Sequence, residues 1–97
     1  MRHDDMATSK LMADKIAIGK GLNGVSLNDL PDIFATYGFW GGSGVTDYPT
    51  GVDPSGAVLI TFPASGSTTQ LQLFIKGTSL YVRQKSYTNT WSTWAQI

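Results

Sequence analysis

The chain has 97 residues and 10.5 kDa, 41% of them hydrophobic, which sets a ceiling of one small domain burying about 64% of the surface its unfolded chain exposes. Seven basic residues balance seven acidic ones, every acid being Asp, so bulk charge supplies no hold on nucleic acid or an anionic membrane. There is no cysteine, which excludes disulfides, thiol chemistry and Cys-based zinc sites, and no apolar run approaches the ~18 residues that cross a membrane.

Charge and aromaticity divide the chain. All eleven aromatic residues lie from Phe34 onward, and residues 1–33 hold nine of the fourteen charges. In the N-terminal segment Leu11, Met12, Ile16, Ile18 and Leu22 follow neither period two nor period 3.6. Residues 1–24 are therefore expected to form an extended or helical stem whose apolar side chains find partners outside the segment. Asn23-Gly24 marks a turn. Ser26 or Asn28 then caps a short helix, with Pro31 in its first turn and Leu30, Ile33 and Phe34 along one face, closed by Gly38. Phe39-Trp40 starts a strand, and Gly41 to Gly56 reads as loop.

Ala57 to Phe62 is continuously apolar and predicts a buried central strand. After a turn over 63–69, Gln70 to Lys76 alternates, which assigns Leu71, Leu73 and Ile75 to the core and Gln70 and Gln72 to the other face. A hairpin at Lys76-Gly77-Thr78-Ser79 leads to a strand in which Leu80 and Val82 continue the core face, leaving Tyr81, Arg83 and Lys85 outward. A turn over 87–90 precedes a last strand, Trp91 to Ile97. The fold class is mainly β: a small antiparallel β-sheet with one short helix over residues 25–97, preceded by the 1–24 segment.

Three groups of residues invite a functional reading. Trp91 and Trp94, three apart, point to opposite faces of a strand, so one packs in the core and the other is freer to stack on a sugar. Tyr81, Arg83, Lys85 and Tyr87 share a strand face if the alternation holds, which suits a subunit interface or an acidic glycan better than nucleic acid. Trp40, the glycine-rich 41–44 loop and Tyr48 have the make-up of a receptor loop with rigid aromatic anchors. The candidate ligand-binding residues are thus Trp40, Tyr48, Tyr81, Arg83 and Tyr87. Catalysis has little to build on, because His3 is the lone histidine. Asp47 and Asp53 could pose as a glycosidase pair but read as turn formers, so no catalytic residue, metal or cofactor is expected.

An ordered series of segments resembles a known module. Leu27-Asn28-Asp29-Leu30 followed by Tyr37-Gly38-Phe39-Trp40, then Leu80-Tyr81-Val82-Arg83 and Thr90-Trp91-Ser92-Thr93-Trp94, resemble the knob domain of R-type pyocin and bacteriophage tail fibres. The strands at Val58-Leu59-Ile60 and Gln70-Leu71-Gln72-Leu73 fit the same plan, and Lys15 to Val25 is similar to the segments that link such modules. The resemblance covers roughly residues 15–97. It implies a non-enzymatic, homotrimeric virion fibre that helps to recognise a bacterial surface glycan, joined to other virion proteins through its N-terminal segment. A structural attachment or decoration protein without receptor binding is the alternative. At 97 residues the chain is far shorter than a whole tail fibre, which fits a C-terminal fragment or a small dedicated fibre protein. Only 14% of residues are charged, against about 25% in ordinary soluble proteins, and this too points to surface buried against copies or partners.

Overall fold

The computed structural model describes residues 16–63 and 69–97; the first part of the expected stem and most of the 63–69 turn lie outside the described residues. Strands β1 (Ile16–Gly21), β2 (Phe34–Gly38), β3 (Val58–Pro63), β4 (Gln70–Lys76), β5 (Ser79–Lys85) and β6 (Ala95–Gln96) lie side by side in chain order in one six-stranded sheet. Neighbours are antiparallel except β1 and β2, which run parallel with Ile16 opposite Phe34 and Gly21 opposite Gly38. The fold is mainly β, as expected, but the sheet is mixed. The described part of the 1–24 segment supplies its edge strand.

The short helix shrinks to a single 3-10 turn, Leu27–Asp29. Ser26 caps it as anticipated, its Oγ accepting from the Asn28 N–H at 3.0 Å. Pro31, however, follows the turn instead of opening it, and Phe34–Gly38 is strand. Phe, Thr and Tyr suit a pleated surface, and β1 and β3 offer this segment hydrogen bonds on both sides. Phe39 and Trp40 lie past its end. Between them, residues 22–33 and 39–57 cross one face of the sheet, where Leu22, Leu27, Phe39, Val45 and Ala57 join Ala35, Tyr37, Leu59 and Phe74 in the buried core.

The largest correction concerns which side of the sheet is inside. Gln70 and Gln72, expected on the outer face, are 0% exposed, and Arg83 and Lys85 are buried too. Leu71, Leu73, Ile75, Leu80 and Val82, expected in the core, are only half-buried on the opposite face. The cause is hydrogen bonding from the covering loops. Gln72 Nε2 donates to the Leu27 carbonyl at 2.7 Å and to Gln70 Oε1 at 2.9 Å, and Gln70 Nε2 donates to the Pro31 carbonyl at 2.7 Å. The loops bring carbonyls that β-pairing does not satisfy, and buried carbonyls need donors. Thr61 Oγ1 does the same for the Ile33 carbonyl at 2.8 Å. Strand β3 is likewise not buried on both faces: Leu59 and Thr61 are fully covered while Val58 is 41% exposed.

The hairpin between β4 and β5 forms where the sequence places it, with Lys76 opposite Ser79 and Gly77 at φ +60°. The last strand is shorter than expected. Trp91 makes one bridge to Lys85, and only Ala95–Gln96 pair with β5.

Burial raises the pKa of the Tyr37 phenol above its ordinary value of 10.0. Such a group adds stability that is complete below the unfolded pKa and is lost as pH rises through the folded one. Tyr37→Phe should therefore lose less stability than the parent between about pH 8 and about pH 11. Urea midpoints at the two pH values test this; equal losses in both proteins would contradict it.

Candidate functional site

The face that carries Gln72 also holds a cation under two indoles. Arg83 is 6% exposed, and its guanidinium carbon lies 4.0 Å from the Trp91 ring centroid and 4.7 Å from that of Trp94. Arg83 Nε donates to Gln72 Oε1 at 2.9 Å. Nη2 is buried with no hydrogen-bond partner among the described residues, so the indole π faces take up part of its charge. Burial pushes the guanidinium pKa down to about 10, and Asp47 nearby acts in the opposite sense. Lys85 Nζ stands 5.6 Å from the Trp91 ring on its own account.

Trp94 packs against the core and Trp91 does not, but the two rings do not point to opposite faces. Residues 92–94 leave the strand between the Trp91 bridge and β6, so the period-two rule does not hold across them, and both rings meet Arg83. Trp94 is the more constrained. Its Nε1 donates to the Asp47 carbonyl at 2.9 Å, and its ring meets Phe74 edge-on at 5.9 Å.

Around this pair the loop carrying Asp47 and Tyr48 approaches the end of β5, leaving an open hollow of about 530 Å³, a volume in the range of small-ligand sites. Tyr48, Tyr81, Trp91 and Trp94 supply aromatic surface, and Asn28, Thr50, Ser92, Thr93 and Gln96 supply hydroxyls and amides. Three of the five candidate residues thus converge: Tyr48, Tyr81 and Arg83. Trp40 and Tyr87 do not join them. Trp40, 46% exposed, lies over β1, where a Cβ on Gly21 would stand 2.6 Å from its ring; only glycine leaves it room there. Tyr87 sits beyond the end of β5 in the 86–90 turn and is 81% exposed. Asn28, Trp91 and Trp94 line the hollow as well, and for the tryptophans the aromatic signal was visible in the sequence.

Asp47 and Asp53 serve separate turns. Asp47 takes φ +68° and its carboxylate accepts from the hydroxyls of Ser26 and Thr46. The Asp53 carboxylate accepts from the Ser55 N–H at 3.0 Å, which holds its pKa below the ordinary value. Among the described residues no three His, Cys, Asp or Glu side chains gather as a metal site. The hollow thus sets flat aromatic surface beside hydroxyls and amides, with Asp47 and Arg83 also in its lining. Compared with protein-family models, curated proteins and solved structures, the chain matches none.

Proposed function

We propose that the chain is a non-enzymatic fibre module of a bacteriophage or pyocin-like particle, displayed as a homotrimer and binding a saccharide of the bacterial surface. Its place is the virion, with the N-terminal segment meeting other virion proteins. The observation that carries the reading is the hollow in which Tyr48 and Tyr81 meet the two indoles around Arg83. Aromatic faces match the apolar faces of a pyranose, and Asn28, Thr50, Ser92, Thr93 and Gln96 are suited to its hydroxyls. An open site of this kind binds each sugar weakly, and several copies on one particle raise the total through effective concentration.

Fluorescently labelled chain should bind cells or purified envelope saccharide of the host. Tyr48→Ala and Tyr81→Ala should each weaken binding about tenfold or more, the scale of one lost stacking contact, whereas Trp40→Ala and Tyr87→Ala should leave it unchanged. If the labelled chain binds no envelope to which the parent particle attaches, receptor recognition is wrong and the structural attachment role takes its place.

A further inference from the structure

We propose that the face of the sheet turned away from the loops is the surface on which copies of this chain associate. This deepens the multimeric part of the reading above and does not depend on the saccharide. Three rows of side chains cross the face in register: Val58, Ile75 and Leu80; then Ile60, Leu73 and Val82; then Phe62 and Leu71. Phe34, 39% exposed, closes a corner with its ring edge-on to Phe62 at 5.4 Å. Among the described residues none of these side chains packs against the buried core.

A contiguous apolar face left uncovered by the described residues is where an interaction surface is expected. Its charge pattern narrows the occupant. Strands β2 and β3 carry no charged residue, and the charged residues of β4 and β5 (Lys76, Arg83 and Lys85) all serve the opposite side. A partner that brought charge here would bury it unpaired.

The chain's own remaining segments do not suit the face. Residues 1–15 include Arg2, Asp4, Asp5, Lys10, Asp14 and Lys15, and residues 64–68 read Ala-Ser-Gly-Ser-Thr. The first would bury six charges along with its Met6, Leu11 and Met12, and the second has no large side chain to lay down. A second copy brings the same uncharged, apolar rows. In a homotrimer three such faces meet around the axis without like-charge repulsion, each laying its apolar rows against its neighbours'.

The test is the native mass of the full chain by light scattering over a range of concentrations. The expected result is a multiple of 10.5 kDa for the parent and a monomer for Leu73→Asp, which sets a charge in the middle row. Should that variant fold poorly by circular dichroism, Leu73→Thr places an uncharged residue suited to a strand there and should dissociate at a higher concentration than the parent. A monomeric parent, or a Leu73→Thr protein that dissociates no more readily than the parent, overturns the proposal. Tyr48→Ala should keep the parent's mass. A parent that is multimeric yet binds no saccharide would sink the recognition reading alone, and a monomeric parent that still binds saccharide would sink this one alone.

Discussion

Phe74→Ala should leave much of the population unfolded in mild denaturant. Phe74 is the largest fully buried side chain, and its ring meets those of Phe39, Tyr81 and Trp94 at 5.5, 6.1 and 5.9 Å. Truncating a buried Phe costs about 3–5 kcal/mol in transfer energy and residual cavity. A chain of this size holds about 5–15 kcal/mol in total. The loss also undercuts the hollow, because Tyr81 and Trp94 rest on this ring. A urea midpoint lowered by about 2 M is the expected reading. A shift under about 0.5 M would mean that the sheet draws its stability from elsewhere, with the opposite face the first place to look.

Gln72→Leu is the second large effect, and it runs against hydrophobic intuition. Leucine is close in size and more apolar, yet the Leu27 carbonyl, Gln70 Oε1 and Arg83 Nε all lose their bond to the Gln72 amide. Each buried group stripped of its partner costs about 1–3 kcal/mol, so the variant should lose about 3 kcal/mol or more. Arg83→Met, which keeps an unbranched apolar stem, removes one of the stranded groups. The double variant should therefore be less destabilised than the two single losses added together, by about 1 kcal/mol. Strict additivity in chemical denaturation would show that the amide and the guanidinium are not one network.

These two residues also show how far the sequence could be read. Strands β4 and β5 and their turn were legible from period-two alternation and from Gly77, because local spacing and backbone freedom are properties of neighbours in the chain. The inward face was not. Leucine at every second position points inward by transfer energy alone, and nothing near Gln72 reveals that the carbonyl of Leu27, 45 residues away, needs its amide. Residues 34–38 failed for a similar reason. The strand preference of Phe, Thr and Tyr in Phe-Ala-Thr-Tyr-Gly is weak beside the capping signals upstream, and strands on both flanks settled it. In the site, aromatic and basic residues stood out at once. That Tyr48 joins Tyr81 and Arg83 while Trp40 and Tyr87 stay away depends on where a long loop lands.

Strand β5 has a consequence for where the hollow sits in an assembly of copies. Its odd-numbered Tyr81 and Arg83 belong to the hollow, and its even-numbered Leu80 and Val82 belong to the uncovered rows. If those rows meet around a common axis, parity alone turns every hollow away from that axis. The binding sites then ring the circumference instead of gathering at a tip. A flat, rigid layer could reach only one or two of them at a time, while long flexible polysaccharide chains could wrap the ring and fill them all. On the fibre reading proposed above, the particle would then hold best to envelopes that present their sugars as brushes, lying against them along its side.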